Sequence, residues 1–206
     1  MSEIKYGLIS PVDADTIEKV FDRIFDTFPD ETIMYCEVGL YHGATTRGAK
    51  EYFKSKNKPY HLIGIDNFKD KEELVFYPED ANLIQGSSIE VYNNLPDESQ
   101  HYIMIDGNHS LPYVIADYYC YIKKVKVGGF ICFHDAAPHA QDVSYQRMGR
   151  EDDKDMYISV LRALERIGLI GENHIREYHG VELAYHLWAT PDIDEGGGVI
   201  VFKRIK

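Results

Sequence analysis

The chain of 206 residues carries 34 acidic and 22 basic side chains, which gives a formal net charge of −12 at pH 7. This length suits one domain with a sizeable core, and the charge repels phosphate backbones, so no nucleic-acid partner is expected. The sequence contains no apolar run of about eighteen residues and no apolar signal peptide, so we expect a cytoplasmic protein without a membrane partner. Cys36, Cys120 and Cys132 each lie in an apolar stretch, which is typical of reduced core residues.

The first predicted element is an amphipathic helix over about residues 10–28. Ser10 and Pro11 are placed as its N-cap and its first helical residue. Apolar residues follow at helical spacing and would form one buried stripe: Ile17, Val20, Phe21, Ile24, Phe25 and Phe28. We expect this helix to cover one face of a sheet.

Five short apolar runs follow, and each ends at or near a polar residue. They are Ile33–Val38, His61–Asp66, Ala81–Gln85, Tyr102–Asp106 and Gly129–His134. Runs without strict alternation, separated by spacers of helical length, are typical of parallel strands buried on both faces. The tail is different, because the β-rich stretches 182–189 and 199–205 are joined by a Gly-rich connection that predicts an antiparallel hairpin.

Three helices are predicted between or after these strands, over residues 45–54, 112–124 and 158–170. Val127-Gly128-Gly129 is expected to form the C-terminal turn of the second of them. The whole chain, residues 1–206, is therefore predicted to be a single α/β domain with a doubly wound, mostly parallel sheet.

The segment Glu37-x-Gly39-x-x-x-Gly43 predicts a strand that runs into a glycine turn and then a helix. Glycine suits such a turn because it adopts positive φ and lets another group approach the backbone closely. Alone, this pattern is also common in α/β proteins that bind no ligand there.

Polar residues at the strand ends are a more specific signal. Ligands of open parallel sheets bind outside the carboxyl ends of the strands. The residues expected at those ends are Glu37, Asp66, Gln85 with Ser87 and Ser88, Asp106, and His134 with Asp135. One acid at a strand end is readily explained as a helix cap, but five strands ending in this way predict a shared crevice.

The order of these motifs resembles class I S-adenosylmethionine-dependent methyltransferases, and within them the small O-methyltransferases similar to the macrocin and mycinamicin sugar enzymes. The resemblance covers about residues 30–137 and implies a Rossmann-like sheet of seven strands that ends in an antiparallel hairpin. It rests on Glu37-x-Gly39-x-x-x-Gly43, Gly64-Ile-Asp66, Gln85-Gly86-Ser87-Ser88, Ile105-Asp106-Gly-Asn-His109 and Gly128-Gly-Phe-Ile-Cys-Phe-His134-Asp135.

The resemblance also implies a binding role for each motif. Gly39, Tyr41 and Gly43 would form the turn beneath the methionine part of S-adenosylmethionine, and Glu37 would help to hold that end. Tyr41 departs from the usual glycine at its position and narrows the turn. At the other end of the cofactor, Asp66 would bind the ribose, Ser87 and Ser88 would border the adenine, and Asp106 would also face the cofactor.

Asp106 and Asp135 follow two strands that the topology makes neighbours, so both carboxylates are candidates to bind one Mg²⁺ ion. His134 is a third candidate ligand, although related enzymes often have an acidic residue there. The Asp106-x-x-His109 spacing resembles that of the mycinamicin enzyme, in which the histidine is the general base. A bound cation and a base would together activate a hydroxyl group of the acceptor.

The predicted function is therefore Mg²⁺-assisted O-methylation of a small molecule, such as a sugar, a polyketide-like compound or a phenol. The long polar segment 136–157 is expected to be a lid that selects the acceptor, and related enzymes suggest a homodimer. A nicotinamide-dependent oxidoreductase is one alternative, but the chain lacks its closely spaced glycine triplet. A non-catalytic protein that keeps the cofactor-binding fold is the other.

Overall fold

A computed structural model describes residues 6–7, 9–67, 76–141, 157–172, 174–187 and 197–206. These residues form a seven-stranded sheet in the order β3-β2-β1-β4-β5-β7-β6. The first five strands are parallel to one another, and β7 pairs antiparallel with both β5 and β6. The strands are β1 (Ile33–Val38), β2 (Tyr60–Asp66), β3 (Asn82–Gln85), β4 (Gln100–Ile105), β5 (Val125–Phe133), β6 (Val181–Leu187) and β7 (Val199–Arg204). The predicted mostly parallel sheet with a terminal hairpin is confirmed.

Six α-helices are present in the described part of the chain. They are α1 (Pro11–Thr27), α2 (Ala44–Ser55), α3 (Ser88–Val91), α4 (Leu111–Tyr121), α5 (Val160–Arg166) and α6 (Arg176–His179). Short 3₁₀ turns lie at Tyr92–Asn94, Ile122–Lys124 and Pro138–Ala140. None of the described helices combines the length and apolar character required to span a bilayer.

The start of α1 follows its sequence signal. Ser10 is extended, and its hydroxyl accepts the backbone N–H of Asp13, while Pro11 takes the first helical position. The apolar stripe of α1 packs on the sheet through Phe21, which is fully buried and whose ring meets the rings of Tyr35 and Tyr102. This layer of the core lies on one face of the sheet, and α4 and α5 cover the other face.

The glycine pair after α4 was assigned wrongly. Gly128 and Gly129 lie inside β5, and the chain leaves α4 through the 3₁₀ turn before the strand begins at Val125. Gly128 adopts φ +91° at an irregularity in the pairing of β5 with β4, between the partners of Gln100 and Tyr102. The positive φ that glycine permits is used here at an irregularity within a strand and not at a helix end.

The helix predicted over 158–170 is shorter than expected. It ends at Arg166 because Gly168 adopts φ +75° and its N–H bonds to the carbonyl of Glu165. The N–H of Leu169 bonds to the carbonyl of Leu164, which completes a Schellman-type end. The glycine was a termination signal that the apolar periodicity concealed.

Candidate functional site

The glycine turn after β1 holds three strands in register at their carboxyl ends. The Gly39 N–H bonds to the carbonyl of Ile65 on β2, and the Asp106 N–H, at the end of β4, bonds to the carbonyl of Val38. Gly39 adopts φ +87°, and a Cβ added there would lie 2.3 Å from the carbonyl oxygen of Asp106. Glycine is therefore required at position 39 because the loop after β4 approaches its backbone closely, whether or not a ligand is bound.

Tyr41 and Gly43 complete the turn with two more positive φ values, of 47° and 76°. Gly43 is the N-cap of α2, and a Cβ there would lie 2.7 Å from Cα of Tyr77. Tyr41 occupies a conformation that favours glycine, and its side chain is 51% exposed, with its ring over that of His42. The departure from glycine at this position thus places an aromatic ring at the rim of the turn.

Asp66 fastens the same turn from the end of β2. Its Oδ2 accepts the backbone N–H of Leu40 at 2.7 Å and that of Tyr41 at 3.4 Å. The carboxylate that we expected to bind a ribose is thus placed beside the glycine turn, where it also fixes the loop.

Glu37 is a buried acid on the inner side of the turn. Its Oε2 accepts hydrogen bonds from the hydroxyls of Tyr35, at 2.9 Å, and Thr46. Burial raises the pKa of Glu37 to about 8, and these two hydrogen bonds offset only part of that effect. Glu37 therefore exchanges a proton in the neutral range.

Ser87 and Ser88 lie at the start of α3, directly after β3. The Ser88 hydroxyl donates to Oδ1 of Asp117 on α4 at 2.6 Å. Asp117 is a functional candidate that the sequence analysis did not identify, because it lies in the middle of a helix. Burial raises its pKa to about 6, although the Ser88 hydrogen bond lowers it.

A cluster of two carboxylates and two imidazoles lies where β4 and β5 end. His134 Nδ1 is 3.2 Å from Asp106 Oδ1 and 3.4 Å from Asp135 Oδ1. His109 Nε2 is 3.1 Å from Asp106 Oδ1, and its Nδ1 is 3.3 Å from Asp135 Oδ2. The structure thus brings together all four side chains that we predicted for metal binding and general base catalysis.

The chain holds this cluster through backbone contacts on both sides. The His134 N–H bonds to the carbonyl of Ile105 on β4, and the N–H of Ser159 bonds to the carbonyl of His109. Asp135 adopts φ 54°, and its Oδ1 accepts the N–H of Gly197 at 2.7 Å. Segments that follow the cluster in the sequence therefore help to position His109 and Asp135.

The charges in the cluster depend on one another. Burial alone would lower the pKa of His134, but the carboxylates of Asp106 and Asp135 raise it to about 10. His109 behaves similarly, because the two carboxylates outweigh burial and raise its pKa. Burial would raise the pKa of Asp106, yet the two imidazoles hold it below its usual range. Positive charge is therefore favoured between the carboxylates.

Three side chains of the cluster also have the spacing that a shared metal ion requires. Asp106, His134 and Asp135 each offer one ligand atom, and these atoms lie within 4.8 Å of one another. Two carboxylate oxygens and an imidazole nitrogen suit a divalent cation, and a cation would take over the positive charge that the imidazoles carry. The donor set fits a metal ion, with His134 as the softer ligand.

A cavity of about 310 Å³ connects the glycine turn with this cluster. Its wall includes Glu37, Gly39, Tyr41, His42, Asp106 and His134. The first residues of the predicted lid are described as far as Gln141, whose side-chain amide donates to the carbonyls of Asp135 and Ala137. Residues 142–156 of the predicted lid lie outside the described part of the chain.

Comparison with known proteins identifies similar proteins for the fold and for part of the sequence. Residues 36–136 match a family model described as a methyltransferase domain. An uncharacterized protein of Acanthamoeba polyphaga mimivirus is 27% identical over 137 residues, which covers 56% of this chain and 57% of the relative. The chain thus spans little more than half the length of this curated relative.

Solved structures with the same fold include several methyltransferases. The O-methyltransferase NovP has a TM-score of 0.64 at 12% identity, with 98% of this chain and 83% of NovP covered. TomG from Streptomyces achromogenes, an O-methyltransferase of tomaymycin synthesis in complex with SAM, has a TM-score of 0.63 at 11% identity, with coverage of 96% and 82%. MycE of the mycinamycin biosynthetic pathway, in complex with Mg and SAH, has a TM-score of 0.53 at 16% identity, with coverage of 90% and 49%.

Residues 36–136 therefore match a methyltransferase domain, and the sheet has the fold of solved methyltransferases. The order of motifs in the sequence predicted this family, and the strand order of the sheet agrees with it.

Proposed function

We propose that the protein transfers a methyl group from S-adenosylmethionine to a hydroxyl group of a small molecule, with the help of a divalent cation. The observation that carries this proposal is the cluster of Asp106, His109, His134 and Asp135, of which Asp106 and His134 line the cavity beside the glycine turn. A base and a metal ion side by side suit the activation of a hydroxyl group, which is a poor nucleophile until its proton is withdrawn.

The cofactor would lie along the carboxyl ends of β1 to β4. Gly39, Tyr41 and Gly43 would form the floor under its methionine part, with Glu37 nearby. Asp66 would face the ribose, Ser87 and Ser88 would border the adenine, and Asp106 would lie near the sulfonium. The acidic lining supports this arrangement, because the cofactor carries a sulfonium and an ammonium group but no phosphate.

In the proposed reaction, a lone pair of the acceptor oxygen attacks the methyl carbon in line with the carbon–sulfur bond. The carbon–oxygen bond forms as the carbon–sulfur bond breaks, and the bonding pair stays on sulfur to give neutral S-adenosylhomocysteine. With a cation bound between the carboxylates, His109 would be neutral and would remove the hydroxyl proton, while its contacts with Asp106 and Asp135 orient the ring. A divalent cation held by Asp106, His134 and Asp135 would lower the pKa of the hydroxyl.

The acceptor is proposed to be a sugar, a polyketide-like compound or a phenol, with segment 136–157 as the lid that selects it. The MycE, TomG and NovP structures support this range only through their shared fold. A homodimer in which α1 and this segment contribute contacts is also proposed. Light scattering coupled to size-exclusion chromatography measures that assembly directly.

The test is the formation of S-adenosylhomocysteine by the purified chain with a panel of catechols, phenols and free or macrolide-linked sugars. Turnover that requires a divalent cation and stops with chelator is the expected result. A methylated product in which the new methyl group is bound to nitrogen or carbon would contradict the proposal. Cofactor binding without turnover on any class of acceptor would favour the non-catalytic alternative.

A further inference from the structure

Asp13 is a fully buried acid at the first turn of α1, and it lies against the cluster at the ends of β4 and β5. Its Oδ2 accepts the hydroxyl of Ser10 at 2.7 Å and the backbone N–H of Gly198, before β7, at 3.1 Å. Within the described part of the chain, its Oδ1 has no hydrogen-bond partner. Two neutral donors leave much of the negative charge of the carboxylate uncompensated, and an uncompensated charge is destabilising at a buried position.

His134 presents a matching buried atom. Its Nδ1 faces Asp106 and Asp135, while its Nε2 has no hydrogen-bond partner among the described residues and lies 4.0 Å from Asp13 Oδ2. The two ring nitrogens therefore face different surroundings. Nδ1 points to the proposed cation ligands, and Nε2 points to a single carboxylate on the N-terminal helix.

We infer that Asp13 is a positioning residue for His134, which holds the Nε2–H of the ring so that the Nδ1 lone pair faces the bound cation. This inference rests on the metal site of the proposed function. Histidines that bind metals generally donate their other N–H to a carboxylate or a carbonyl, which fixes the tautomer and the ring orientation. The distance of 4.0 Å exceeds a hydrogen bond, and a shift of about 1 Å closes it.

The anchoring of Asp13 supports this role over a purely structural one. Ser10 already caps the N-terminus of α1, so Asp13 is not needed as a cap. The hydrogen bonds from Ser10 and Gly198 fix the carboxylate between α1 and the start of β7. Asp13 thereby connects the N-terminal helix and the terminal hairpin to His134, the candidate metal ligand at the end of β5.

The first test measures Mn²⁺ affinity by calorimetry for the wild-type chain and for Asp13→Asn. Loss of the carboxylate partner is expected to weaken Mn²⁺ binding by about 10- to 100-fold, with S-adenosylhomocysteine affinity unchanged. Asp15→Asn is the matched control, because it removes the same charge from a partly exposed position of the same helix, where Asp15 pairs with Lys19. This control is expected to bind Mn²⁺ like the wild type.

A coupling experiment separates positioning from general destabilisation. In a His134→Asn background, where an amide oxygen replaces the imidazole nitrogen, Asp13→Asn should have no further effect on Mn²⁺ affinity. An equal loss in both backgrounds would mean that Asp13 does not act through His134, and would overturn the inference.

A spectroscopic test on the wild-type chain covers the case in which Asp13→Asn does not fold. Long-range ¹H–¹⁵N correlation spectra of the Zn²⁺-loaded protein should show His134 bound to the metal through Nδ1 and protonated at Nε2. Metal binding through Nε2 would overturn the inference and leave the metal site intact. A wild-type chain that binds neither Mn²⁺ nor Zn²⁺ would remove the proposed metal site and this inference together.

Discussion

His109 Nδ1 lies 3.3 Å from Oδ2 of Asp135, across the gap between the loops that follow β4 and β5. The same ring lies 3.1 Å from Asp106 through Nε2. Both carboxylates therefore restrict the ring, although Asp106 and Asp135 are far apart in the sequence. A parallel sheet brings them together because the carboxyl ends of adjacent strands meet at one edge.

Replacing the proposed base should affect turnover much more than cofactor binding. His109→Ala is expected to lower kcat by about 10²- to 10⁴-fold, because proton removal from the acceptor would lose its base. S-adenosylhomocysteine affinity, measured by calorimetry, should stay within about twofold. His174→Ala, which changes an exposed histidine, is the control. Equal turnover in His109→Ala and wild type would reject the base role.

The imidazole among the ligands predicts a preference among cations. Mn²⁺ accepts nitrogen ligands more readily than Mg²⁺, so the wild-type chain should bind Mn²⁺ more tightly than Mg²⁺. In His134→Asp, which supplies a third carboxylate, the ratio of the two dissociation constants should shrink by about tenfold or more. Calorimetric titration with each cation measures both constants. An unchanged ratio would mean that His134 is not a ligand.

The close packing of the loop after β4 against Gly39 predicts that replacing this glycine with alanine strongly destabilises the fold. Gly39→Ala places a Cβ 2.3 Å from the carbonyl of Asp106, whereas Gly171→Ala has the same sign of φ and meets nothing within 4 Å. Backbone strain should cost Gly171→Ala about 1 kcal/mol of unfolding free energy, and the added clash should cost Gly39→Ala about 3 kcal/mol or more. Denaturant unfolding compares the two. Equal losses would contradict the packing described here.

The raised pKa of Glu37 predicts a pH-dependent stability difference. Between its unfolded pKa, near 4.5, and its folded pKa of about 8, the folded chain holds a proton that the unfolded chain releases. The free energy of unfolding should therefore fall as pH rises through this window, by about 1.4 kcal/mol per pH unit from this group. Below pH 4.5 both states are protonated, so the contribution of Glu37 is fully present and no longer varies with pH.

Glu37→Gln tests this linkage. The unfolding free energy of wild type minus that of Glu37→Gln should fall by about 2 kcal/mol between pH 5.5 and pH 7.5, because the other groups cancel in the difference. Glu172→Gln, which changes an exposed glutamate, is the control and should parallel the wild type. A constant difference over this range would show that Glu37 is ionised throughout.

The fold was predictable from the sequence because each parallel strand is a short apolar run that ends in a polar residue. Topology then required Asp106, His134 and Asp135 to lie close together. The irregularity of β5 at Gly128 was not predictable, because a glycine with positive φ serves a helix end and an irregular strand equally well. The helix end at Gly168 was hidden by apolar residues that continue beyond it.

Two further features of the site depend on contacts between distant segments. Asp13 reads as an ordinary residue of a helix N-terminus, and only packing of α1 on the sheet places it 4.0 Å from His134. Asp117 lies inside α4, and its contact with Ser88 joins residues 29 positions apart. Neither pairing leaves a local spacing that sequence analysis can detect.

The decisive measurement is calorimetry with S-adenosylhomocysteine, with Mn²⁺ or Mg²⁺ and with chelator. The cofactor product should bind in every condition, and the wild-type chain should also bind the cation. Asp135→Asn should lose the cation and keep the cofactor product. A well-folded chain that binds neither S-adenosylmethionine nor S-adenosylhomocysteine would contradict the claim that this protein is a working methyltransferase.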